Sequence, residues 1–353
     1  MNSPQPIRPP RSRKQLKGRQ PTEQAKAELA HMMTGLKPQR DALIEHLHRI
    51  QDACGGLSED HLVALAAWLG CPVVEVYEVA SFYHHFDVLT AGETAPPLTI
   101  RVCGGLSCAL SGSTTLKTEI ERLTQRTDVR VIEAPCVGRC EQAPVAVVHQ
   151  RPVAQASAEA VMRRVQADER WPELGGGDAQ FDPVEHALGD VVSPDQRHQT
   201  VVNAVGLQAY LAQGGYRLLR QLQSGERHPE TVFTAMEDSG LRGLGGAGFP
   251  AGRKWRIVAS KPGPRLLAVN LDEGEPGTFK DRTYLERDPH RFLEGALVAA
   301  ELMGIEAIYI YLRDEYHGCR QLLLREIEHL MTHSGLRLPR IELRRGAGAY
   351  VCG

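Results

Sequence analysis

Four cysteines in one segment carry the most specific chemistry of this sequence. Cys103 and Cys108 form a C-x4-C pair; 27 residues later Cys136 and Cys140 form a C-x3-C pair. Outside a secreted disulfide framework, four grouped thiolates point to zinc or an iron–sulfur cluster. Zinc ribbons favour C-x2-C knuckles, which are absent here. The wider loops suit thiolates that reach two irons, so a cluster is the expectation and zinc the alternative. Gly104, Gly105 and Gly138 would let backbone N–H groups approach the sulfurs and favour the reduced, more negative form. Cys54, Cys71, Cys319 and Cys352 stand alone and read as buried or incidental thiols, Cys352 as a packing thiol.

A second candidate is Leu241 to Trp255, L-R-G-L-G-G-A-G-F-P-A-G-R-K-W. Gly243, Gly245, Gly246, Gly248 and Gly252 are concentrated there, with Phe249 as an aromatic face and Lys254 as a nearby cation. Glycine costs chain entropy, so such a cluster implies left-handed turns or a close approach of backbone to a ligand. Backbone N–H groups in such a loop can hold a phosphate. The loop is read as lacking the third glycine of the dinucleotide fingerprint, no Lys-Ser/Thr pair follows at P-loop spacing, and the plain alternative is a flexible surface loop. A third stretch, Asn270 to Arg282, places Asp272, Glu273 and Glu275 within four residues, just after an apolar run. Grouped carboxylates repel one another and need donors such as ribose hydroxyls or flavin N–H groups unless solvated. Some twenty residues separate this stretch from the glycine loop, which suggests two walls of one nucleotide pocket.

The surrounding elements must position these groups. Residues 1–27 carry five prolines and seven basic residues against one acid, and read as a disordered tail. From 28 to 92 the periodicity is helical. Leu43, Ile44, Leu47 and Ile50 share a face, Ser58 caps a second helix that Gly70 stops, and a third run starts after Pro72. His46, His48 and His61 read as ordinary helix histidines. Ala95-Pro96-Pro97 marks a boundary. Residues 93–167 then read as strand (98–102), helix (111–123), two strands (129–132 and 144–148) and helix (156–165), a compact α/β unit. Residues 168–201 lack periodicity and read as a linker. From 202 to 353 helices alternate with apolar strands at 266–269 and 307–312, the first of buried type, which argues a mainly parallel sheet with ligands at its carboxyl edge.

The totals exclude several classes. Net charge is −2 over 353 residues, so there is no general pull toward nucleic acid or anionic lipid. No apolar run reaches membrane-spanning length, and the basic N-terminus lacks the apolar core of a secretory signal, so a cytoplasmic chain is expected.

The motifs also carry a family likeness. E-V-Y-E-V-A-S-F-Y (75–83), the C-x4-C pair and A-P-C-V-G-R-C (134–140) resemble the thioredoxin-like [2Fe-2S] subunit of respiratory complex I. The stretches 240–255, 270–282, Y-I-Y-L-R-D-E-Y (309–316) and G-A-G-A-Y-V-C-G (346–353) resemble its FMN- and NADH-binding subunit. Both units in one chain resemble the beta subunit of NAD-dependent molybdenum or tungsten formate dehydrogenases. The diaphorase subunit of NAD-reducing hydrogenases is the nearest competitor, and complex I sequences usually have arginine where Leu244 stands. The resemblance implies an α/β multi-domain chain: helical bundle, thioredoxin-like [2Fe-2S] domain, then the first part of an FMN/NAD-binding domain. It implies a [2Fe-2S] cluster on Cys103, Cys108, Cys136 and Cys140. FMN contacts would fall on Gly243, Gly245, Gly246, Lys254, Asn270, Asp272 and Tyr350. Glu275 and Phe249 would face NAD, with Glu273 supporting the pocket.

The implied activity is that of an oxidoreductase. NADH and FMN exchange a hydride, and electrons pass singly to or from iron–sulfur clusters. The implied partner is a molybdenum or tungsten formate dehydrogenase alpha subunit, or hydrogenase or complex I subunits. The family continues past G-A-G-A-Y-V-C-G with paired glutamates, a ubiquitin-like domain and a [4Fe-4S] domain. A chain that stops there is expected to bind FMN weakly or not at all on its own, and a non-catalytic [2Fe-2S] relay is the alternative reading.

Overall fold

A computed structural model describes residues 18–124, 126–167, 204–244 and 246–350. The expected linker at 168–201, most of the tail, Gly245 and Cys352 lie outside the described residues. The chain forms two compact units, 1–95 and 96–353.

The first unit holds α1 (Glu23–Met32), α2 (Leu43–Cys54), α3 (Glu59–Leu69) and α4 (Val73–Phe82). Leu43, Leu47 and Ile50 of α2 are buried, as their spacing requires. Ser58 caps α3 by accepting from the His61 amide at 3.3 Å, and Gly70 ends it in the left-handed conformation. His46 packs edge-on against Trp68, and His61 meets Glu28 at 2.9 Å. The tail expectation needs correction at its end, because α1 already starts at Glu23. Thr22 accepts from the Ala25 amide at 3.2 Å, a local cap that outweighs the composition around it. A two-residue parallel ladder, β1 (Leu57–Ser58) with β2 (Val88–Leu89), was not legible in the pattern.

The second unit begins with β3 (Leu98–Cys103), α5 (Leu106–Leu110), α6 (Ser113–Leu123), β4 (Val129–Ala134), β5 (Ala146–Val148), β6 (Arg151–Val153) and α7 (Ala158–Ala167). The sheet order is β4-β3-β5-β6. Only the β3–β4 pair is parallel. Leu98, Ile100 and Val102 alternate onto one face and join Leu116 and Ile120 of α6 and Val161 and Val165 of α7 in the core. The short strand β6 was too brief to be seen as a period.

After 204 come α8 (Leu207–Ala212), α9 (Arg217–Ser224), α10 (Pro229–Asp238), α11 (Ala251–Ala259), β7 (Leu266–Leu271), α12 (Lys280–Arg287), α13 (Pro289–Met303), β8 (Ala307–Leu312), α14 (His317–His333) and β9 (Arg340–Arg345). The sheet β7-β8-β9 is fully parallel, as the alternation of strands and helices implied. One expectation fails here: β7 is not of buried type, and Leu266 is 57% exposed. It lies at the sheet edge, so alternate residues face outward, whereas central β8 is almost wholly enclosed. No helix among the described residues is long and apolar enough to cross a membrane.

Candidate functional site

Parallel pairing of β3 with β4 places Cys103 opposite Ala134, so the loops that follow both strands share one edge. That register gathers the four cysteines. Cys103 interacts with both Cys108 and Cys136, and the Cys136 and Cys140 sulfurs are 3.5 Å apart. The thiols form a row. No three His, Cys, Asp or Glu side chains among the described residues are arranged to hold a single metal ion. Cys103 and Cys108 are buried with Val137 and Val145 in a small apolar cluster. A Cβ on Gly105 would meet the Cys136 Cβ at 3.0 Å and the Cys103 sulfur at 3.4 Å, so the loop must pass the sulfurs closely. Gly138 donates its N–H to the Cys136 sulfur at 3.4 Å. The Cys103 side chain holds the Cys136 thiol well above its ordinary pKa, and burial adds to this. Burial likewise raises Cys140. Four such neighbours cannot all ionise without cationic compensation, which is the chemistry a two-iron centre supplies. The residues fit the expected cluster.

The cysteine loop leans on the later segment of the same unit. Gly277 donates its N–H to the Cys140 sulfur at 3.2 Å. Arg313 donates to the Cys136 carbonyl at 2.6 Å and to the Glu273 carbonyl at 2.8 Å. Arg282 donates to the Gly138 carbonyl at 3.1 Å and pairs with Glu141 and Glu286. The Tyr316 ring covers Gly138, whose φ is +68°. Burial lowers the Arg282 pKa, but Glu286 and Glu141 outweigh it and hold it above the ordinary value. A methyl group at Gly138 would stand 2.5 Å from the fully buried Tyr316 ring. Gly138→Ala is therefore expected to cost about 2–5 kcal/mol, from a left-handed non-glycine residue and overpacking together. Urea unfolding of the variant measures this; an unchanged midpoint would show that the ring yields.

The glycine loop is pinched at its base. Arg242 and Pro250 form an antiparallel bridge, Gly243 donates to the Phe249 carbonyl at 3.0 Å, and the Arg242 guanidinium reaches the Gly248 carbonyl at 3.0 Å. Gly246 and Gly248 have φ of +100° and +61°, with no atom near where a Cβ would stand. The loop is open at its crown, as a phosphate cradle would be. Gly243, Gly245 and Gly248 do fall at G-x-G-x-x-G spacing, yet the loop follows α10 instead of a strand, so it is not the Rossmann turn. Helix α11 starts directly behind it and aims its N-terminal dipole at it. Gly252 is required at that helix start, because a Cβ would meet the Glu237 amide nitrogen at 2.8 Å. Lys254 is exposed one turn in, and Phe249 is half-exposed beneath the Arg253 guanidinium.

The carboxylates divide by role. Asp272 is buried, and its amide donates to Asn270 Oδ1 at 2.9 Å at the carboxyl end of β7. Exposed Glu275 accepts from the Tyr350 hydroxyl at 2.6 Å. Gly274 lies beneath the Tyr350 backbone, where a Cβ would meet the Tyr350 carbonyl at 3.2 Å. Asn270, Asp272, Glu275 and Tyr350 thus meet at one place. The Glu273 carboxylate turns inward: it accepts from the Asp281 and Arg282 amides at 2.8 and 3.2 Å and from Tyr316 Oη at 2.8 Å. It caps α12 and shapes the loop from behind, with a left-handed φ of +41°. Arg282, Arg313, Tyr316 and Gly277 had no assigned role in the sequence. Their motifs were visible, but nothing in the local pattern says that they meet the cysteines.

Residues 29–167 match the family model of the thioredoxin-like [2Fe-2S] ferredoxin, and residues 236–353 match the Nuo51 FMN-binding domain. One chain carries both units. The first match takes in the helices before residue 93 as well. A chain of the NADH-quinone oxidoreductase of Rhizobium meliloti is 43% identical over 156 residues, 42% of this chain and 37% of that protein. The alpha chain of the NAD-reducing hydrogenase HoxS of Cupriavidus necator is 29% identical over 339 residues, 89% of this chain and 54% of that protein. A crystal structure of an air-oxidized NAD+-reducing [NiFe]-hydrogenase superposes with a TM-score of 0.66 at 28% identity, over 88% of this chain and 52% of that one. The chain thus spans about a third to a half of the relatives it matches.

Proposed function

We propose that this chain is the flavin and iron–sulfur unit of an NAD-linked oxidoreductase of the diaphorase type. The observation that carries the reading is the docking of the cysteine loop on the carboxylate loop, through Gly277 and Arg313. When bound, FMN would supply hydride exchange with NAD(H) and single-electron exchange with a [2Fe-2S] cluster. The chain's own residues bind and orient. The open glycine loop, Gly245 included, and Lys254 would hold the phosphate, with the α11 dipole adding to their attraction. Asn270, Asp272 and Tyr350 would border the flavin. Exposed Glu275 offers a carboxylate to ribose hydroxyls, and Phe249 a stacking face to the nicotinamide nucleotide. Cys103, Cys108, Cys136 and Cys140 would ligate the cluster.

The motif resemblance favours a molybdenum or tungsten formate dehydrogenase alpha subunit as partner. The hydrogenase reading has its own support in the alignment over 89% of this chain with the HoxS alpha chain. Formate-dependent against hydrogen-dependent NAD reduction by the native complex separates the two. For the chain itself, FMN titration by flavin fluorescence with NADH:ferricyanide turnover is the test. Bound FMN with turnover would support the enzyme reading; a cluster signal without flavin or turnover would leave only an electron relay. Lys254→Ala is expected to weaken FMN binding roughly tenfold to a hundredfold, the worth of one charge-assisted hydrogen bond. An unchanged titration would remove Lys254 from the phosphate site.

A further inference from the structure

The cysteine loop is held from outside its own segment by two arginines. The Arg282 guanidinium is 3% exposed and engages the Gly138 carbonyl, Glu141 and Glu286, so its whole fork is used. Arg139, in the middle of the cysteine loop, also reaches Glu286 at 3.3 Å. The two guanidinium and two carboxylate groups balance electrically. Arg313 is equally buried, at 5%, and joins the Cys136 carbonyl to the Glu273 carbonyl while Glu315 balances its charge. Buried charges of this kind persist only when paired and hydrogen-bonded. The planar fork suits them, since one arginine can hold a carbonyl and a carboxylate in fixed directions.

We propose that Arg282 and Arg313 are positioning residues for the cluster: the flavin segment, and not the ferredoxin segment alone, fixes the place and the charge environment of Cys136 and Cys140. This rests on the cluster reading given above. Reduction adds a negative charge to the cluster, so nearby charge shifts its potential. Removing the Arg282 charge leaves the Glu141 and Glu286 carboxylates in excess over Arg139, which disfavours reduction. Removing the Glu286 charge does the opposite.

The test is a redox titration of the cluster-loaded full chain followed by EPR, with iron and sulfide measured in each sample. Arg282→Gln is expected to lower the reduced-to-oxidised ratio about tenfold at fixed potential, a fall of about 59 mV for one electron. Its EPR signal should broaden as the loop loses its anchor. Glu286→Gln should move the potential upward. Arg282→Lys should restore the potential and not the sharp signal, because it returns the charge without the fork. Arg126→Gln, at an exposed ion pair in the ferredoxin segment, serves as a surface control. If Arg282→Gln fails to retain a cluster, the direction of the Glu286→Gln shift decides alone. Wild-type potential and line shape in both variants would overturn the proposal while the cluster reading stands. A wild-type chain without iron and sulfide would sink the cluster reading, and this inference with it.

Discussion

Cys136→Ser should leave the chain without the visible absorption and EPR signals of a [2Fe-2S] centre, and with iron and labile sulfide near zero. Cys136 is the middle of the row, touching both Cys103 and Cys140, and its sulfur takes the Gly138 amide. A serine hydroxyl has nearly the same shape but is a far weaker ligand for iron at neutral pH, where the thiolate is what binds metal. The loop itself should survive, since its carbonyls are held by Arg282 and Arg313 and not by the sulfur. Far-UV circular dichroism should therefore be unchanged while the cluster is lost. A full wild-type spectrum in the variant would show that the ligand set is wrong.

His290→Leu should destabilise the second unit by roughly 3–5 kcal/mol, the usual cost of breaking a buried polar pair. The His290 ring is fully enclosed and links two other buried groups, with Tyr216 Oη at 2.9 Å from Nδ1 and Glu326 Oε2 at 3.0 Å from Nε2. Leucine fills a similar volume and satisfies neither. The same pair sets an acid limit. Burial would raise the Glu326 pKa, but His290 and Arg325 outweigh it and hold it down to about 2, against an ordinary 4.5. The stability that this shift contributes is present above pH 4.5 and is lost as pH falls toward about 2. Urea unfolding of both proteins from neutral pH down to pH 3 measures it. The wild-type chain should lose part of its advantage over His290→Leu across that range; parallel losses would show that Glu326 does not carry this acid sensitivity.

Much of the fold was legible because its signals are local. Ser58 and Gly70 are caps whose chemistry acts over three or four residues, and both act as expected. The continuous run of β8 states that the strand is enclosed, whereas the alternation of β3 does not show that Thr99 is buried as well. The run of β7 misled, since L-L-A-V looks alike at a sheet edge or a sheet centre and only neighbouring strands distinguish them. The helix at Glu23 was hidden by averaging composition over a tail, although Thr22 marks its start.

By itself the sequence determined the ingredients: four thiols at cluster spacing, a glycine loop with a cation behind it, a run of carboxylates, and the elements that carry them. Residue type and short spacing fix such things, because ligand chemistry and backbone freedom are local properties. Tertiary structure alone decided which ingredients meet. Glu273 became a helix cap behind the loop while Glu275 stayed exposed, a difference invisible in two residues of the same type. Gly277, Arg282 and Arg313 reach the cysteine loop from 137 to 177 residues away in sequence. No periodicity encodes a contact of that range; it exists because parallel pairing and burial bring the two segments to one place, where unpaired carbonyls and charges must find partners.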